Sequence, residues 1–240
     1  MGIISGAARL TSVASGGIVR HAINTHGLVA YYDVLDTACW VNGATTLYDV
    51  ASTTHLTAFG SITTSTFNNA VGWNFNADGK YFQASTLNMQ PFKSLTMEAW
   101  LYPAASEVTA GDRGTIILIN GGSSAYMSWN KSSGYLSNYW YSHAPEGYHE
   151  TNGPSSRSNW HHWCSVWDGE QGYLYQYVDG TVTRVATSGI AATGSNVIIG
   201  REQSSRQFSG GMAIVRIYRR ALFPEEVYEH WYAEKGRFGL

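Results

Sequence analysis

Few side chains in this sequence stand at spacings that do chemistry. Hydrolysis of a glycosidic bond needs two flanking carboxylates, about 5–5.5 Å apart for a retaining reaction, and a β-strand supplies them as an alternating pair. Here Glu98 stands alone on its segment, while Glu225, Glu226, Glu229 and Glu234 fall together near the C-terminus. His161 and His162 are adjacent. Neighbouring strand residues point to opposite faces and cannot share one metal ion, so the expectation is one imidazole under the sheet and one outside. His143, His149 and Glu150 surround a loop at Pro145-Glu146-Gly147 and are the residues for a loop zinc. Asn74, Asn76 and Asp78 place alternating oxygen side chains ahead of Gly79, as a calcium loop begins. The twelfth position is Ser85 instead of a bidentate glutamate, and a hairpin alone explains Asp78-Gly79. No cofactor is expected, with calcium the one candidate. No serine sits in a nucleophile elbow, and neither GxGxxG nor a P-loop occurs. The expectation is a chain without enzymatic activity.

Rings are the better clue. Trp129, Tyr135, Tyr139, Trp140, Tyr141 and Tyr148 fall among Ser, Asn, His and Gly. Aromatic faces beside amide and hydroxyl donors make a platform for sugar C–H faces. The same rings could equally fill a core or line a subunit interface. Charged residues are only 13% of the 240, against about 25% in a typical soluble domain, while aromatics reach 14%. The surface is therefore built from Ser, Thr, Asn, Gly and exposed rings. A net charge of −2 with scattered Lys and Arg excludes the basic cluster that binding to nucleic acid needs. The nearest approach, Arg216, Arg219 and Arg220, reads as the solvent face of a strand and turn. No apolar run approaches the ~18 residues that cross a bilayer. Arg9 interrupts the only stretch that resembles a leader, so neither general secretion nor a membrane anchor is expected. Cys39 and Cys164 lack metal or redox spacing and read as buried free thiols, with one long-range bridge the alternative.

These residues must be held by short strands. Residues 1–26 are small and aperiodic and read as an N-terminal extension, either loosely packed or an arm that orders on a partner. From Gly27 the pattern changes. Segments 28–32, 95–101, 115–119, 126–129, 135–140, 160–167, 173–178, 181–185, 196–199 and 212–218 read as strands, and Leu95, Met97, Ala99 and Leu101 share a face. Asp78-Gly79, Asp168-Gly169 and Asp179-Gly180 read as hairpin turns, the last two making a three-stranded meander. One helix is expected at 224–235, with Pro224 at its first position, Val227 and Trp231 pinning it, and Gly236 as its left-handed cap. Residues 237–240 read as a short tail. The spacing predicts an all-β, two-sheet antiparallel jelly-roll sandwich at 27–222, preceded by the extension at 1–26 and followed by a short helix and tail at 223–240.

Several segments together resemble the laminin-G-like, concanavalin A-like jelly roll. They are Gly27-Leu28-Val29-Ala30-Tyr31-Tyr32, the Trp73 to Tyr81 stretch WNFNADGKY, SLTMEAWLYP at 94–103, Asn159-Trp160-His161-His162 with Tyr175-Gln176-Tyr177-Val178-Asp179-Gly180, and Ile199-Gly200-Arg201 with Phe208-Ser209-Gly210 and the run to Val227. The resemblance covers about residues 27–230. The ending YAEKGRFGL, residues 232–240, is similar to that of jelly-roll proteins in tailed-phage virions, with Ala233 where Asn is usual. That resemblance implies a non-enzymatic virion protein, a capsid decoration or tail-associated subunit. Its partners would be other virion subunits in a homo-oligomer, a trimer from how such proteins usually associate. The alternative is an adhesin that binds host-surface glycans through its aromatics.

Overall fold

The computed structural model describes residues 9–10, 23–84, 89–120, 124–141, 147–150, 156–187, 192–202 and 205–240, with backbone alone at 9–10, 89–92, 120, 124, 139–141, 147–150 and 192–194. Two eight-stranded antiparallel sheets form the body. Sheet 1 runs Thr181–Ala186, Tyr173–Val178, His161–Asp168, Ser94–Pro103, Gly210–Tyr218, Ala70–Asn74, Thr64–Phe67, with Leu28–Asp33 also paired to Gly210–Tyr218. Sheet 2 runs Gly147–Glu150, Leu136–Tyr141, Ser124–Asn130, Arg113–Asn120, Asn196–Ile199, Tyr81–Ala84, Leu56–Phe59, Thr46–Leu47. The chain is a jelly-roll sandwich, as its strand spacing predicts.

Alternation fills the interior. Leu95, Met97, Ala99 and Leu101 are buried on one face of the longest strand. Opposite Ala99 in the register stands Trp163, whose ring stacks on Trp129 of sheet 2 at 5.2 Å. That contact fixes which face is inner. Ile117, Ile119, Met127, Val197, Ile199 and Phe82 complete the core from sheet 2. The meander at 161–186 forms as expected, and Asp179 and Gly180 both take positive φ, the requirement of a two-residue type I′ turn. Asp168 instead opens a longer turn, its side chain accepting from the Glu170 and Gln171 amides. The Asn76–Gly79 turn is not a hairpin: Ala70–Asn74 belongs to sheet 1 and Tyr81–Ala84 to sheet 2, so this turn carries the chain between layers.

The outer face of sheet 1 is covered too. Helix Pro224–Glu234 starts at Pro224, and the Glu226 carboxylate accepts from the Phe223 amide at 2.9 Å, satisfying one orphan donor. Val227 and His230 are buried beneath it, while Trp231 packs half-buried against Gly180. The chain then tightens into a 3-10 turn, Lys235–Phe238, and Gly239 takes the left-handed cap assigned to Gly236 from the sequence. The short tail packs on the body. Phe238 is buried, stacked 4.0 Å from Trp100, and Arg237 pairs with Asp33 at 3.0 Å. Ahead of the body, Ile23 is buried and Asn24 donates to Glu226 at 2.7 Å; residues 1–8 and 11–22 lie outside the described residues.

Candidate functional site

Strand alternation leaves the outer face of sheet 2 to carry Phe59, Tyr81, Gln83, Asn196 and Ile198. Phe59 and Tyr81 are register partners, and their rings stack with centroids 4.5 Å apart and planes within 6°. Phe59 is 38% exposed and Tyr81 partly so. Two turns hold the pair together: Gly60, at φ +71°, approaches Gly79 so closely that a Cβ there would lie 2.4 Å from the Gly79 carbonyl oxygen. The Arg201 guanidinium lies over Tyr81 at 5.2 Å. Further along the Tyr81 strand, Gln83 donates to Asn196 of the neighbouring strand at 3.4 Å. Flat rings, amides and a guanidinium thus share one face. Sequence reading passed over these residues because each is isolated along the chain; the available signal was a ring beside a glycine turn, at Phe59-Gly60 and at Gly79-Lys80-Tyr81.

The rings singled out from the sequence fare differently. Trp129 is 1% exposed, because its row faces the interior; it is a core residue and cannot be part of an outer platform. Tyr135 is half-buried at the start of its strand. For Tyr139, Trp140, Tyr141 and Tyr148 only backbone is described. Register sets Tyr126, Tyr139 and Tyr148 in one row across three strands, and Trp140 opposite the buried Ala125.

Of the oxygen set at Asn74, Asn76 and Asp78, two side chains make hydrogen bonds around the turn. Asn74 donates to Ser65 and accepts from the Asn76 amide. Asp78 accepts from the Gly79 amide, and the carbonyls of Phe75 and Ala77 both accept from Gln207. Among the described residues no group of three His, Cys, Asp or Glu side chains could hold a metal. His143 lies outside the described residues, and His149 and Glu150 have backbone alone.

The paired histidines take opposite faces as expected, but neither is outside. His161 Nδ1 is 2.6 Å from Asp179, and its Nε2 is 2.9 Å from Ser156 Oγ, the spacing of a serine nucleophile with its base and orienting acid. The Ser156 carbonyl oxygen also lies 3.0 Å from Nε2. His161 thus ties the Ser156 segment to the Asp179 turn.

His162 turns the other way, into a buried polar cluster under the terminal helix. Glu98, fully buried, accepts from His162 at 2.7 Å, Arg216 at 3.0 Å and His230 at 3.0 Å. Arg216 reaches on to Glu234, which also accepts from the Trp100 indole at 2.7 Å. Burial raises the Glu98 carboxyl, but His230, Arg216 and the hydrogen bonds from both histidines outweigh it and hold the group well below the usual carboxylate range. Burial likewise opposes the Arg216 charge, and Glu234 and Glu98 overcome it. Arg216 is therefore not on a solvent face. The helix covers the sheet there, and only Arg219 of that basic group is exposed. With its three neighbours engaged and no solvent path, Glu98 holds structure together. Cys39 and Cys164 are free, buried thiols, Cys39 pushed up to about 12 by burial.

A family model described as the concanavalin A-like lectin/glucanases superfamily matches residues 75–228. The chain belongs to that superfamily. Among solved structures, this superfamily member is similar to domain 4 of AbnA, a GH43 extracellular arabinanase from Geobacillus stearothermophilus, in complex with arabinotriose. The TM-score is 0.63 at 16% identity, over 84% of this chain and 97% of that one. It is also similar to the botulinum neurotoxin serotype D binding domain, with TM-score 0.64 at 12% identity over 88% of this chain and 52% of that one. A serotype D ligand binding domain in complex with N-acetylneuraminic acid matches at TM-score 0.63, 12% identity, 88% of this chain and 52% of that one. The chain spans about half the length of the toxin domains. At such identities the likeness is one of fold. No curated protein matches the chain.

Proposed function

We propose that this superfamily member binds glycans by stacking sugar faces on the exposed Phe59–Tyr81 pair, with Gln83 and Asn196 supplying polar contacts. The observation that carries this reading is the parallel ring stack, partly exposed on a face whose neighbours are amides and a guanidinium. Ring surface of this kind binds with little charge to desolvate. The arabinanase domain, matched along almost its whole length, was solved with a sugar, which supports the reading. The mode of action is binding without glycoside cleavage, since Glu98 is sealed beneath the helix. A glycan array is expected to return ligands for the wild type. Tyr81→Ala should weaken them about tenfold, the equivalent of one ring contact of roughly 1.4 kcal/mol, with thermal melting little changed. An array with no ligand, or unchanged binding by Tyr81→Ala, ends the reading.

A virion location, with the glycan on a host surface, is the second reading. Its support is the sequence of residues 232–240 together with the exposed stripe Phe223, Tyr228 and Tyr232 on the outer side of the terminal helix, a face suited to another subunit of a homo-oligomer or particle. Part of that ending is spent within the fold, since Arg237 and Phe238 pack on the body. Mass spectrometry of purified phage particles is expected to find the polypeptide; its absence from them removes this reading and leaves the first intact.

A further inference from the structure

We infer that the ligand of the Phe59–Tyr81 face is an anionic glycan, one carrying a carboxylate or sulfate group that Arg201 receives. The inference rests on the glycan reading and adds the ligand's charge. Arg201 is half-buried, its guanidinium set over the Tyr81 ring. Among the described residues no carboxylate pairs with it, whereas Arg113, Arg157, Arg206, Arg216, Arg220 and Arg237 each hold one. The acids nearest in the sequence and at the adjoining turn are occupied: Glu202 by Arg206 at 3.2 Å, and Asp78 by the Gly79 amide at 2.7 Å. A guanidinium stacked on a ring is pre-oriented, and its planar fork matches a carboxylate or sulfate edge. The ring pair meets the sugar while the guanidinium sets a positive charge at its margin.

Arg184 offers the informative contrast. It also lies over a ring, Tyr173 at 4.9 Å, but it is exposed on the edge strand. Beside it, Tyr173 and Tyr175 are tilted by 52° at 6.0 Å, so those rings do not form a parallel stack.

Titration calorimetry on the full chain would use three probes of equal length: a uronic-acid oligosaccharide, the same sugar after carboxyl reduction, and a sulfated oligosaccharide. The wild type is expected to prefer at least one anionic probe about tenfold over the neutral sugar, as one partly exposed charged hydrogen bond provides, and to lose most of that preference in 1 M salt. Which anionic probe is favoured identifies the group. Arg201→Gln should bring the ratio of anionic to neutral affinity to about one, and Arg184→Gln should leave that ratio as in the wild type. Equal affinity for neutral and anionic probes, or a preference that survives in Arg201→Gln, overturns the charge inference alone, provided Tyr81→Ala still weakens binding. If Tyr81→Ala binds every probe normally, or the wild type binds none, the face itself is misassigned and both readings fall.

Discussion

At the scale of single residues, Glu98 shows how one buried carboxylate acquires meaning from its partners. Breaking a buried pair by removing one member typically costs roughly 3–5 kcal/mol, because the other charge stays behind without compensation. Glu98→Gln is expected to lose stability in that range in urea unfolding at neutral pH, although Arg216 keeps Glu234. The pH dependence follows from the direction of the shift. The Glu98 carboxyl is held well below its ordinary value in the folded chain. Its stabilising contribution is therefore complete above the unfolded carboxylate value of about 4.3, and is lost as pH falls through the folded one. The wild type should lose stability on acidification in that window, and Glu98→Gln should show a shallower loss. Parallel acid limbs for the two proteins would mean that the cluster is not the cause. Sequence showed Glu98, His162 and Arg216 as three separate residues on three strands; only cross-strand register and the helix above them make a cluster.

Among the elements, the terminal helix and its 3-10 extension do more than close the chain. They convert the outer face of sheet 1 from a solvated surface into a second interior. Thr96 binds both ends of the approach, donating to the Arg220 carbonyl at 2.9 Å and accepting from the Leu222 amide at 3.1 Å. Glu98 and Trp100 meet His230 and Phe238 further along. Phe238→Ala would remove a buried ring from Trp100 and Trp160, and large aromatic truncations cost roughly 3–5 kcal/mol. Chemical denaturation of this variant is expected to show a loss of that size, with tryptophan emission shifted to the red. Wild-type stability in the variant would mean that the tail does not dock. The helix itself was readable from Pro224, the early glutamates and the apolar spacing. Its buried side, through His230 and Glu234, was not, because polar residues at those positions normally face water.

For the whole molecule, two ring-rich layers close over one interior, and low charge leaves surface rings as the recognition chemistry. Strand spacing sufficed to predict the sandwich and the meander at 161–186, since period-two alternation and Asp-Gly turns are local properties. The Asn76–Gly79 turn misled for the same reason: a hairpin and a layer crossing share turn chemistry, and the difference lies in which distant strand each arm pairs with. Trp129 illustrates the matching limit for a site. Its neighbours in sequence are polar, yet its row faces inward against Trp163.

What the amino-acid sequence determined by itself was the class of fold, the run of strands, the place of the helix and the absence of a paired-carboxylate array. Each depends on contacts within a few residues or on composition. The tertiary structure alone decided which rings are exposed, that Phe59, Tyr81 and Arg201 share one face, and that Glu98 is sealed beneath a helix more than a hundred residues away in the chain. Those outcomes depend on register between remote strands and on what covers each face, and neither is encoded at any single position.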